Sequence, residues 1–259
     1  MFPRKAKGVF GLLAAAAVLV VAAASADAAE LHVLSAGAVR SIVTDLATAF
    51  EKETGHTVTL TFGTVGVIKS KLASADPADV AIMTDTALDE MTRQGVVRQG
   101  TWAMVGRTGI GVGVRDGAPK PDIASPEAFK QALLATKSLT YVDPAQGATS
   151  GIHFAGVLKQ LGVADAVKGK TTLVPGGYPA ELVAKGEVEM VVHQISEIVP
   201  VKGVTLVGPL PKELQKITVY SAGVAVASTS KDAAREFVTF LARPDFKPKL
   251  AAAGLDYKE

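Results

Sequence analysis

The chain has 259 residues, 48% of them hydrophobic, with four histidines and no cysteine. Disulfides, lipid attachment at a cysteine and thiolate ligation are therefore excluded, and the scattered histidines show no metal-ligand spacing, so neither a metal nor another cofactor is expected. A formal net charge of +2 is too small to point to nucleic acid.

The chain opens with the basic Arg4, Lys5 and Lys7, an apolar run from Val9 to Ala24, and Ala26-Asp27-Ala28. That order predicts a secretory signal peptide over residues 1–28. The apolar run is shorter than the ~20 residues that span a bilayer, so no stable membrane insertion is expected. The mature protein is expected in the periplasm. Of the 27 basic and 25 acidic residues, the leader holds Arg4, Lys5, Lys7 and Asp27, so the remainder is formally neutral. Any anion site must come from local arrangement.

Leu31–Ser35 reads as a buried strand. Val39, Ile42, Val43, Leu46 and Phe50 follow at helical spacing, and Gly55 stops that helix. Thr57–Phe62 is β-branched and strand-like. Gly63-Thr64-Val65-Gly66 turns into a helix through Ile68 and Leu72, and Asp79–Met83 is another buried strand before a helix ending at Gly95. This alternation predicts a mainly parallel sheet covered on both faces.

The rhythm then changes. Ile110–Val114 is a strand interrupted by Gly111 and Gly113, and Ser125-Pro126-Glu127 starts a helix with a cap, a first-position proline and an acid. Strands are predicted at Ser138–Val142, Thr171–Val174, Glu189–His193 and Gly203–Val207, with helices at Ser150–Leu161 and Ala180–Lys185 between them. A long strand, Ile217–Val226, mirrors Gly109–Val114, and a helix over Asp232–Leu241 follows. Two such extended segments flanking about a hundred residues predict two crossings between lobes. The first lobe would take 29–112 and 217–259, and the second 113–216.

Ligands of open parallel sheets bind beyond the carboxyl ends of the strands, where helix N-termini favour anions. Three strand-to-helix loops here are small and polar: Ser35-Ala36-Gly37-Ala38, Gly63-Thr64-Val65-Gly66, and Ala145 to Gly151 with Gln146, Gly147, Thr149 and Ser150. Small residues let an anion approach the backbone, and the hydroxyls add donors. Lys69, one turn past Gly66, would add charge to its helix terminus, and Gln194 ends a strand where it would point into the cleft. Lys69, His153, His193 and Glu197 are the candidate acids and bases, with no role assigned among them. Pro175-Gly176-Gly177-Tyr178 reads as a loop lining the mouth.

These segments resemble those of the periplasmic molybdate-binding and related type 2 solute-binding proteins. The resemblance is carried by Leu31–Ala38, Phe50–Val58, Pro77–Ile82, Asp143–Gly147 and the strand near Tyr220, and it spans the mature chain. It implies an α/β fold of two lobes, with mixed sheets flanked by helices and a hinge between them. A small anion, oxyanion or carboxylate, would close between helix N-termini, and an ABC-type permease would be the partner of a transport component. The molybdate pattern is broken, however. Ala38 stands where that family has a serine, Thr64-Val65-Gly66 replaces a serine-rich loop, and Gln194 falls near its late tyrosine. A polycarboxylate is the expected ligand. One similar branch, the periplasmic trans-aconitate isomerases, implies an alternative activity: an allylic proton shift between trans- and cis-aconitate in the same cleft.

Overall fold

The computed structural model describes residues 28–74 and 76–256. The expected leader lies outside the described residues apart from Ala28. The strands are β1 (Glu30–Ala36), β2 (Thr57–Gly63), β3 (Val80–Thr84), β4 (Ala103–Thr108), β5 (Ile110–Arg115), β6 (Leu139–Val142), β7 (Thr171–Val174), β8 (Met190–Gln194), β9 (Val204–Pro209) and β10 (Thr218–Val224). They form two five-stranded sheets, ordered β2-β1-β3-β10-β4 and β7-β6-β8-β5-β9.

Each sheet is parallel where strand and helix alternate in the sequence. β1 runs parallel to β2 and β3, and β6 to β7 and β8. Elsewhere the sheets are mixed: β10 is antiparallel to β3 and β4, and β5 to β8 and β9. An antiparallel neighbour needs no crossover helix, so alternation alone could not reveal it.

The helices are α1 (Arg40–Thr54), α2 (Val65–Ala73), α3 (Asp85–Arg93), α4 (Pro126–Ala135), α5 (Thr149–Gln160), α6 (Ala164–Lys168), α7 (Ala180–Ala184), α8 (Ile195–Ile198), α9 (Lys231–Leu241) and α10 (Lys247–Ala252). Their ends follow local chemistry. The Thr64, Thr84 and Ser125 side chains accept from the third residue on, Val67, Ala87 and Ala128. Gly55 closes α1 in the left-handed region at φ 79°.

The chain passes from the first sheet to the second at Gly109, between β4 and β5. Ile110–Val112, placed in the first lobe by the sequence boundary at 112, therefore belong to the second sheet. Gly111 and Gly113 interrupt β5 because a side chain there would meet Ile195 at 2.8 Å and Val191 at 2.9 Å. The chain returns between β9 and β10. Gln215, on that return, accepts from Ile110 N at 2.7 Å and donates to Ile110 O at 2.9 Å, tying the two crossings together.

Each sheet carries its own aromatic core. Phe50 of α1 packs edge-on to Phe237 and Phe240 of α9 at 5.0 and 5.3 Å between centroids. α9 thus anchors the returned chain on the first lobe. In the second lobe Phe154 packs against Tyr141 at 5.0 Å and Phe129 at 6.2 Å. That fixes α5 over β6.

Candidate functional site

A cavity of about 260 Å³ opens between the lobes. The first lobe contributes Ala36, Gly37, Ala38, Thr64 and Val65; the second contributes Thr149, Ser150, His193, Gln194 and Glu197. The parallel arrangement of β1, β2 and β6 delivers the starts of α1, α2 and α5 here. Gly151 lets α5 start tight against the end of β6, because a side chain there would overlap Val142 O.

The lobes touch beside this cavity. Gly66 N donates to Gly147 O at 3.3 Å, and the Thr64 hydroxyl donates to Gln146 O. A side chain on Gly66 would lie 2.9 Å from Gln146 O and 3.0 Å from Gly147 Cα. Only glycine permits that backbone-to-backbone approach.

One wall of the cavity is built from proton-handling groups. Ser150, His193 and Glu197 are 4%, 2% and 6% exposed. Ser150 Oγ lies 2.9 Å from His193 Nδ1, and His193 Nε2 lies 3.2 Å from Glu197 Oε2. The second contact is close but not aligned as an N–H···O bond. Glu197 reaches across the cleft: a side chain on Gly37 of the other lobe would begin 3.1 Å from its Oε1.

The neighbouring wall is an amide–phenol pair. Gln194 Nε2 donates to the Tyr220 hydroxyl at 3.2 Å and Thr218 Oγ1 at 3.4 Å, while its buried Oε1 has no partner. Half a turn of the amide would let Oε1 accept from Tyr220 and face the NH₂ elsewhere. Burial first, and the Glu197 charge second, push the Tyr220 phenol well above the usual range. The same two causes push Tyr178, in the loop before α7, up to about 12, with Arg40 pulling the other way.

Arg40 and Phe62 also line the cavity. The Arg40 guanidinium sits 4.4 Å from the Phe62 ring centre and 5.8 Å from that of Tyr178, which belongs to the other lobe.

Several expected residues stand elsewhere. Lys69 is not in this cavity; its ammonium meets Glu90 at 2.6 Å. With Gly66 and Gly147 it lines a separate recess between the lobes. His153 is tied to Leu214 O at 2.8 Å through Nε2. Ser35 is fully buried with its hydroxyl on Ala36 O, and Gln146 meets Thr64 through its carbonyl alone. Arg40, Phe62 and Tyr220 were missed by sequence reasoning. Arg40 had one signal: it is a cation in a helix's first turn, three residues past a loop glycine. Among the described residues no cluster of three or more His, Cys, Asp or Glu is placed to hold a metal. Nor is any helix among them long and apolar enough to cross a membrane.

Two mixed sheets joined by two crossings, with a polar cleft at the helix starts, define the two-lobed solute-binding architecture. The model of the bacterial extracellular solute-binding proteins matches residues 31–256, and the chain belongs to that family. It is 33% identical over 261 residues to an aconitate isomerase of a Pseudomonas species, covering 98% of this chain and 97% of that protein. It is 29% identical over 180 residues to the molybdate-binding protein ModA of Azotobacter vinelandii, covering 68% and 69%. The solved structure of the Azotobacter vinelandii periplasmic molybdate-binding protein matches with a TM-score of 0.74 at 20% identity, over 88% of this chain and 100% of that one.

Proposed function

We propose that this protein is a periplasmic isomerase that interconverts trans- and cis-aconitate in the interlobe cleft. The observation that carries the reading is the buried Ser150–His193–Glu197 series on the cavity wall. A site that only holds an anion needs donors; a carboxylate aimed at a polyanion is a cost unless it moves a proton. The likeness to an aconitate isomerase over nearly the whole chain supports the same choice.

The reaction moves one proton and one double bond. Glu197 takes a proton from the methylene carbon. The freed pair forms a new C=C bond to the central carbon, and the old C=C pair takes the same proton back from the protonated Glu197 at the former vinyl carbon, which restores the carboxylate. Atoms and electrons balance without a cofactor. The negative charge that develops spreads onto the terminal carboxylates, and the N–H groups at the starts of α1, α2 and α5 stabilise it there. His193 Nε2 stands 3.2 Å from the Glu197 carboxylate, and Ser150 fixes the ring through Nδ1.

The test is proton NMR of trans-aconitate with the purified mature protein. Appearance of cis-aconitate in proportion to protein is expected; its absence over long incubation removes the isomerase. A second reading, capture of a polycarboxylate for an ABC-type permease, is favoured by the lobe contact at Gly66 and Gly147, which suits a closing binder. Tight binding without conversion would establish it.

A further inference from the structure

Among the described residues the six α-helices of eight or more residues split into two sets. α3, α4 and α9 carry an acid in the first turn: Asp85, Glu127 and Asp232. α1, α2 and α5, whose starts line the cleft, carry none. An acid in the first turn is the ordinary way to balance the positive helix end. Its absence from the three cleft helices leaves that balance to a ligand. The unpartnered Gln194 Oε1, 1% exposed and on the cavity wall, is a second mark of an unfilled polar contact.

α1 goes further and begins with a cation. Arg40 is half-buried at the positive end of its own helix, where a cation is electrostatically misplaced. Among the described residues no carboxylate lies within ion-pair distance of it, whereas Lys69 and Lys71 each hold one and Arg243 holds two. Instead its guanidinium lies 4.4 Å from the Phe62 ring centre and 5.8 Å from that of Tyr178, between aromatic rings of both lobes. A guanidinium kept in place and left without an acid is suited to take a carboxylate in the two-bond fork that a lysine cannot make.

Resting on the polycarboxylate part of the proposed function, we infer that Arg40 is a specificity-determining residue that clamps one carboxylate of the ligand, with Phe62 and Tyr178 orienting its fork. This is the cationic role expected of Lys69, moved to a different helix. It sets the preference for a ligand with several carboxylates, because one of them reaches the mouth while the others meet the helix starts.

The experiment is titration calorimetry with tricarballylate, the saturated tricarboxylate, which binds without turnover. Arg40→Gln is expected to weaken binding about 10- to 150-fold, the range of a charge-assisted hydrogen bond. Arg40→Lys, which keeps the charge and loses the fork, should recover part of that. Added salt should weaken the wild type more steeply than Arg40→Gln. Far-UV circular dichroism and melting curves report folding of each variant. Wild-type affinity in folded Arg40→Gln overturns the inference, as does a wild type that binds no tricarballylate. A wild type that isomerises aconitate while Arg40→Gln binds normally loses the clamp and keeps the isomerase. A wild type that binds tricarballylate through Arg40 yet converts nothing keeps the clamp and loses the isomerase.

Discussion

Replacing Glu197 by Gln removes one charge and almost no volume. The carboxylate is 6% exposed, faces His193 at 3.2 Å and sits against Gly37 of the opposite lobe, so no bulk water stands ready to replace it as a base. A positioned general base is worth about 10²- to 10⁴-fold in rate, or about 2.7–5.5 kcal/mol of barrier. The enclosed setting puts the expected fall in kcat toward the upper part of that range. Binding should move the other way: taking a negative charge from a polyanion site leaves tricarballylate affinity equal or tighter. A third readout is spectroscopic. The Glu197 charge helps hold Tyr178 up at about 12, so Glu197→Gln should lower that phenol's pKa, followed by ultraviolet absorbance. The assay is NMR kinetics with trans-aconitate beside calorimetry with tricarballylate. A kcat within about threefold of wild type refutes the assignment of the base, since the rate effect of a general base is far larger. A parallel loss of rate and affinity would make Glu197 a binding group.

Gly66→Ala should prop the lobes apart, because its methyl would meet the backbone of Gln146 and Gly147 rather than a movable side chain. An overpacking cost of about 1–3 kcal/mol on the closed form predicts roughly 5- to 150-fold weaker tricarballylate binding, with a larger ligand-bound radius of gyration by X-ray scattering; unchanged affinity and radius would show that closure does not use this contact. Lys69→Ala should leave tricarballylate binding and turnover near wild type, because its ammonium is held by Glu90 outside the cavity and a half-exposed pair contributes about 1 kcal/mol or less; a tenfold loss of affinity would return Lys69 to the site. Alkaline titration at 295 nm should show Tyr141, Tyr178 and Tyr220 ionising late, since burial raises all three. For Tyr178 the folded state keeps a proton that the unfolded chain releases near 10, so its contribution to stability is whole below pH 10 and is lost as pH rises toward 12. Urea melts across that interval check the sign.

Much of the architecture follows from local pattern. Helical spacing from Val39 to Phe50, β-branched runs such as Thr57–Phe62, and the caps at Thr64 and Ser125 all depend on neighbours a few residues apart, so the sequence alone carries them. The three small loops were legible for the same reason, and so was an α/β fold of two lobes. The antiparallel placement of β5 and β10 was not, because pairing partners such as Val114 with Met190 and Val80 with Val224 lie 76 to 144 residues apart. The site divides along the same line. His193 at the end of β8 and Glu197 in α8 are four residues apart and belong together locally, but Ser150 joins them only because β6 and β8 are neighbours in one sheet. Arg40 and Lys69 show the limit best. Each is a cation three residues beyond a loop glycine, Gly37 or Gly66, at the start of a helix. The face that each helix lays on the sheet turns Arg40 toward Phe62 and the cleft and Lys69 toward Glu90 on α3. Chain-local chemistry places a charge at a helix end; the packing of that helix decides what the charge meets.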